Sequence, residues 1–450
     1  MKRIRLHVGR IVISCCAWLV LSYTVDAGDD YAFASVKRIQ VERALERVQD
    51  VLSANPGTTI AEVVAFAFCN WGLEPIASLR CWYSDVMRLY PREATDKITA
   101  MMISTLEKSE SGEGTADKGV VTASFDPARL EIGVTLLSML ETTDVTVAER
   151  VGVVMDKMKT RLRRLSDGEQ SSPRRSIDRF FLETYIDDTS AILARLMGGR
   201  VPDRAMWLEA LARGTATESS RAARVFLLAR DAGTDVREAL VSRLKKAREE
   251  VPAKYIEMKH DWLFLSGQFE PNPDLRRAAQ AVAVSAPEGY CNSFAVIACV
   301  VAFVQGGGIP HLEQACRMLE SAYFVHGNDE CARVLPFVFD WKSIVGPLSL
   351  TLDSKDEDVR CGACKLLGYG GVRSRDAREA VMERLAKDQS ARVRARAAEA
   401  MATMGEAQDV QALAARAEIE TDETSKAEIL AAIDVIKSPL VVPTTDSVRN

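Results

Sequence analysis

The sequence predicts an all-α protein, and within it an α-solenoid of stacked helix pairs. Three observations lead there. The 450 residues are 47% hydrophobic but only 6% aromatic, and they are weighted toward alanine, leucine, valine, arginine and glutamate, which lose little conformational freedom in a helix. One short pattern occurs twice, 34 residues apart: Val359-Arg360, Ala363, Leu367, Gly371, and then Val393-Arg394, Ala397, Met401, Gly405. A fixed period of that length is the mark of a helical repeat array. Finally, Asp235 to Leu244 (DVREALVSRL) and Asp376 to Leu385 (DAREAVMERL) agree at six of ten positions, which carries the repeat back toward the middle of the chain.

Taken in order, the chain begins with a targeting pattern. Lys2, Arg3, Arg5 and Arg10 precede a 15-residue run without charge, Ile11 to Val25, and Val25-Asp26-Ala27 puts a small residue at a cleavage position. This is the layout of a secretory signal peptide over residues 1–27. Its core is shorter than the ~20 apolar residues of a stable span, so membrane contact is expected only if the segment is retained. Export places the protein in the periplasm or outside the cell. Loss of four basic residues and one acid with that segment takes the net charge from −5 to −8. Nucleic acid is therefore excluded as a partner, since it selects a basic footprint.

Residues 28–200 read as an irregular helical region. Helices are expected over 35–54 and 60–70, then over 127–141 and 145–165, with a polar loop at Lys108 to Gly119. Trp71, Trp82, Tyr83 and Tyr90 cluster beside Cys69 and Cys81. Such aromatics can anchor a partner, although the cap of a repeat array is closed by atypical residues as well. Cys69–Cys81 is the first disulfide to test among the eight cysteines left after export. From Lys157 to Arg179 lies the one basic stretch. Lys157, Arg161 and Arg164 are expected on one helix face, opposite a stripe of Val151, Val154, Met158, Leu162 and Leu165. That face is either a docking patch for an acidic partner or anionic matrix or a solvated helix face.

From residue 201 to 437 the helices become regular. First helices are expected to start near 202, 234, 274, 310, 341, 374 and 407, and second helices near 216, 252, 290, 328, 356, 391 and 424. In the last repeat Ala427-Glu428, Ala431 and Val435 take the pattern positions. Phe294 to Val304 is apolar throughout, which predicts the most enclosed helix of the array. The tail, 438–450, has no helical period.

The residues of the 34-residue pattern, led by Asp356-Glu357-Asp358-Val359-Arg360, resemble the HEAT-repeat family, particularly its short bacterial form, over 353–371 and 388–405. That resemblance implies a right-handed HEAT/armadillo-like superhelix. It also implies that Arg360 and Arg394 pair with acids of adjacent repeats, and that Glu428 ends the series. Positions 359, 363 and 367 form one helix stripe. Gly371 and Gly405 are expected to end their helices in the left-handed conformation.

No catalytic residue, metal or cofactor is expected. Only His260, His311 and His326 survive export, and HExxH, GxSxG and paired CxxC patterns are absent. Cys361-x-x-Cys364 lies inside a repeat helix, where packing is the simpler role. His311, Cys316, His326 and Cys331 have zinc-type chemistry, but a five-residue spacing on a helix points two side chains ~140° apart. The expected function is a non-enzymatic scaffold that binds protein partners. The alternatives are a lyase-like enzyme on the same scaffold, with Asp187, Asp188 or Asp261 as desolvated acids, and an anionic-ligand or polysaccharide module using 157–179.

Overall fold

The computed structural model describes residues 91–108, 127–138, 140–166, 173–254, 260–284, 293–320, 341–370 and 374–437. Trp71, Trp82, Tyr83, Cys69 and Cys81 lie outside them, as do the helices expected at 35–54 and 60–70, the second helix expected near 328, and the tail. All regular elements among the described residues are helices. They fall into two compact units, divided along the sequence between Ala239 and Leu240.

The first unit contains α1 (Pro91–Lys108), α2 (Pro127–Leu137), α3 (Val145–Ser166), α4 (Pro173–Leu196), α5 (Arg204–Arg213) and α6 (Ala216–Ala229). Helix α4 is its hub, packing on α2, α3 and α6, while α1 packs on α2 and α3. Helix α6 is started by Thr215, whose hydroxyl accepts from the Glu218 amide while Glu218 accepts from the Thr215 amide. This reciprocal pair satisfies two donors that a helix start leaves open.

Helix α7 (Thr234–Lys254) runs through Pro252, so the second helix expected near 252 begins at His260 instead, as α8 (His260–Ser266). The helix-favouring run Leu244 to Glu250 carries the first helix on past the expected break. The second unit continues with α9 (Pro273–Val284), α10 (Ser293–Val304), α11 (Pro310–Glu320), α12 (Trp341–Leu350), α13 (Glu357–Gly370), α14 (Arg375–Lys387), α15 (Ala391–Met404), α16 (Val410–Ile419) and α17 (Glu423–Lys437). Helix starts at 273, 293, 310, 341, 357, 375, 391, 410 and 423 follow the sequence pattern within three residues.

These helices form two layers. Helices α10, α11, α13, α15 and α17 pack in succession, and α9, α14 and α16 each lie against a member of that row. One assignment from sequence changes. Helix α11 was expected as a first helix, yet it stacks directly on α13 in the second-helix row. Gly362 is the reason. A Cβ there would lie 2.2 Å from the Cys316 carbonyl oxygen, so the missing side chain lets the α11 backbone settle onto α13. Helix α10 is enclosed as its composition demands. Ala295 to Ala302 are all buried beneath α8, α9 and α11. Its end is stitched by the buried Gln305, whose amide donates to the carbonyls of Ser266 (2.8 Å) and Phe269 (3.1 Å) and accepts from Asn272 N–H (2.9 Å).

Gly405 also differs from expectation. It is extended (φ −72°), not left-handed. A Cβ would fall 2.5 Å from the Met401 carbonyl and 2.6 Å from Ile436 Cδ1. The Met401 carbonyl of its own helix, with Ile436 of α17 beside it, and not backbone handedness, selects glycine there. Two glycine substitutions therefore separate in sign. Gly362→Ala should lower unfolding free energy by about 1–3 kcal/mol through overpacking. Gly152→Ala, mid-helix in α3 with nothing near its Cβ position, should raise it by about 0.5–1 kcal/mol. Urea titrations of both variants check the pair.

Candidate functional site

The most regular side-chain chemistry in the second unit is a series of arginine rungs. Each belongs to the first turn of a second helix. Helix α15 is capped by Ser390, whose hydroxyl accepts from Val393 N–H; Asp356 and Asp422 serve α13 and α17 in the same way. Four residues after the first two of these caps stand Arg360 and Arg394. Arg360 donates through Nε and Nη2 to Asp388 (2.8 and 3.1 Å), and through Nη1 to the Ser354 carbonyl (2.9 Å). Arg394 repeats the arrangement one level on. It reaches Glu420 (2.7 and 2.8 Å) and the Asp388 carbonyl (2.9 Å). Asp388 therefore takes one arginine on its carboxylate and the next on its backbone. Such planar, two-point pairing is what a guanidinium does and an ammonium cannot.

The last rung is the most enclosed. Glu420 also accepts from Arg416 (2.7 Å) and from the amides of Thr421 and Asp422. The Arg394 hydrogen bond, aided by these others, holds its carboxyl well below the ordinary range. The same geometry corrects the register of the final repeat. With Ser354, Asp388 and Glu420 equivalent, Ser425 and Lys426 align with Val393 and Arg394. Ser425, Ile429 and Ile433 are buried, whereas Ala427 and Ala431 are exposed. Lys426, not Glu428, stands at the arginine position, because the final interval is 32 residues rather than 34.

A second cluster was not foreseen. Glu320, at the end of α11, has a side chain 2% exposed. Arg392 reaches it at 2.9 Å and Asp358 at 2.6 Å, and Arg396 lies 3.4 Å from Glu320. A buried carboxylate at a helix C-terminus opposes the helix dipole, so two arginines of α15 compensate it. The interval of 72 residues between Glu320 and Arg392 left no local signal in the sequence.

The residues nominated on α3 take structural positions. Arg161 is buried and donates to the Leu106 carbonyl (2.8 Å). It continues the Val147, Val151, Val154, Met158 stripe rather than opposing it. Its long stem packs as an apolar residue while its fork caps the last turn of α1. Lys157 pairs with Glu107 (2.8 Å). Arg163 and Arg164 remain exposed.

Two of the three acids named for the lyase-like alternative, Asp187 and Asp188, lie between α4 and α6. Asp188 is fully buried with Arg224 Nε at 2.8 Å, and Asp187 pairs with Arg221. Burial pushes the Asp187 pKa up, against the pull of Arg221. Carboxylates held by guanidinium groups inside a helix interface are suited to locking helices together. Asp261 is also buried, beside Trp262 in α8.

The described cysteines are packing groups. Cys299, Cys316, Cys361 and Cys364 are free and buried. Burial pushes the thiols of Cys299, Cys316 and Cys361 up to about 12 and that of Cys364 well above its usual value, far from the thiolate that nucleophiles and metal ligands require. Among the described residues no group of His, Cys, Asp and Glu is placed to hold a metal ion. His311 sits 2.8 Å from the Gln280 amide; His326 and Cys331 lie outside the described residues. A groove of about 400 Å³ opens along α14 toward the start of α16, lined by Arg375, Arg378, Glu379, Met382, Gln408 and Asp409. Arg378 is anchored there by Glu406 and Asp409, while Arg375 and Glu379 face solvent.

Residues 346–434 match the family model for HEAT repeats. The chain is similar to the crystal structure of an engineered protein, with 13% identity over 95% of this chain and 99% of that one and a TM-score of 0.23. It is also similar to that of Kap121p, with 9% identity over 88% of this chain and 49% of that one and a TM-score of 0.24. No curated protein matches the chain.

The Arg394–Glu420 rung yields two expected outcomes. Arg394→Ala leaves the buried Glu420 carboxylate with Arg416 and the Thr421 and Asp422 amides but without its two-point partner, and should cost about 1.5–3 kcal/mol, with Arg394→Lys intermediate because one fork is lost. The folded-state pKa of Glu420 lies below its unfolded value. Its contribution is therefore full above roughly pH 4–5 and is lost as pH falls toward the folded pKa. Denaturant titrations at pH 7 and pH 3 should show the gap between wild type and Arg394→Ala narrowing in acid.

Proposed function

We propose, on the premise that residues 346–434 are HEAT repeats, that this chain is an exported, non-enzymatic scaffold that binds another protein. The observation that carries the reading is the open, mixed-charge groove along α14. The buried acids and arginines of the array are spent on each other, between helices and at helix ends. The exposed Arg375 and Glu379, which bond to each other (2.6 Å), line an open groove beside Met382. A mixed-charge groove with a methionine in it suits a polypeptide better than an anionic matrix. HEAT repeats present such surfaces on stacked helices. A net charge of −5 for the whole chain speaks against nucleic acid. Export rests on the basic start and the uncharged run Ile11 to Val25.

Two measurements test this. Pull-downs from the cell envelope should lose a partner with Arg375→Glu/Met382→Ala, while the helical circular dichroism signal is unchanged. Arg163→Glu/Arg164→Glu probes the basic end of α3 in the same assay; retention of every partner by both variants would remove both surfaces from consideration. Sequencing of the purified protein should find Gly28 at the N-terminus. Recovery of Met1 would contradict cleavage after Ala27.

A further inference from the structure

The outer face of α17 presents a leucine, Leu430, at a position where the inner repeats receive a helix. Three equivalent columns show this. On α13, Cys364 and Gly368 are buried, and a Cβ on Gly368 would lie 3.0 Å from Ala400 Cα of α15. One repeat on, Ala398 is buried and Ala402 half-buried on the side of α15 that receives α17. The matching positions on α17 are Leu430 and Asp434. Leu430 is 48% exposed, and its neighbours Ala427 and Ala431 are exposed as well. On α16, Ile419 is 67% exposed. Among the described residues α17 is the last helix of its row; at the two positions that receive a helix inside the array it carries an exposed Leu430 and an exposed Asp434, with Ala427 and Ala431 beside them and Glu423, Glu428 and Lys437 around them.

The charges around that stripe are self-complementary. Glu423 and Lys437 lie seven residues to either side of Leu430, and Lys426 and Asp434 four to either side. Two α17 helices crossing antiparallel about Leu430 would set Glu423 against Lys437 and Lys426 against Asp434, twice each. Pairing of one patch with itself about a twofold axis is the geometry of an isologous dimer. Small residues on either side of a central leucine allow the close approach already made between α13 and α15.

We propose that this face joins two copies of the chain end to end through α17. The inference does not depend on the scaffold reading; an enzyme could use the same contact. Sedimentation equilibrium of the full-length protein tests it. Wild type should show a reversible monomer–dimer equilibrium, and Leu430→Glu should be monomeric with an unchanged unfolding midpoint, since the side chain is half exposed. Glu423→Lys alone should weaken the dimer by about tenfold or more through like-charge contact. Glu423→Lys/Lys437→Glu, which exchanges the charges and restores complementarity, should recover most of it. A wild-type monomer into the hundreds of micromolar would overturn the proposal. So would a dimer indifferent to Leu430→Glu, or a monomer that dimerises only when residues 438–450 are removed, which would assign the face to the chain's own tail.

Discussion

The second unit depends on one interaction, the arginine fork that ties a loop to its neighbour one repeat away. Stacked helix pairs bury apolar stripes, but apolar stripes slide. Alanine, valine and methionine along α13, α15 and α17 offer similar surfaces at neighbouring registers. The rungs remove that freedom. Arg360 and Arg394 each bond to the loop before their own helix and to the carboxylate of the next, so the spacing of successive loops is set by the reach of a guanidinium. The cost of desolvating these charges is offset only when both ends of the fork are satisfied. That condition is met at Glu420, which accepts six hydrogen bonds.

The same device recurs outside the rungs. Arg161 caps the end of α1, and Arg195 donates to the carbonyls of Leu137, Ser138 and Leu140 at the end of α2. Burial lowers the Arg195 pKa to about 10, still high enough to keep it charged. Helix C-termini carry unsatisfied carbonyls and partial negative charge. A packed array hides many of them, and arginine supplies donors on a stem that packs as hydrocarbon. The arginine of the basic stretch on α3 that is buried, Arg161, is thus architectural, which lowers the value of that stretch as a signal of an acidic partner.

Repetition made the array readable. Val359, Ala363 and Leu367 are matched 34 residues on by Val393, Ala397 and Met401, and the DVREALVSRL match found α7 and α14. The pairing of Arg360 and Arg394 followed from family resemblance and holds in atomic detail. Besides Gly405 and the helix start near 252, three further readings failed for identifiable reasons. Arg161 was placed outside because charge was weighed above the 3–4 spacing that sets it on the buried stripe. The final repeat was read two residues late because its interval shortens, and Ala427 and Ala431 imitate packing residues. Helix α11 was set in the wrong row because its place depends on Gly362, whose partner is 46 residues away. Glu320 belongs with this last case: contacts that skip repeats leave no period to detect.

The rung account predicts energetic coupling between Arg360 and Arg394, which lie 34 residues apart and share Asp388. A double-mutant cycle on unfolding free energy, with Arg360→Ala, Arg394→Ala and the double variant, measures it directly. The expected result is an interaction energy of at least about 0.5 kcal/mol, as for residues within one hydrogen-bonded network. Losses that add within experimental error would mean that the two arginines act as separate local caps, and would contradict a continuous ladder.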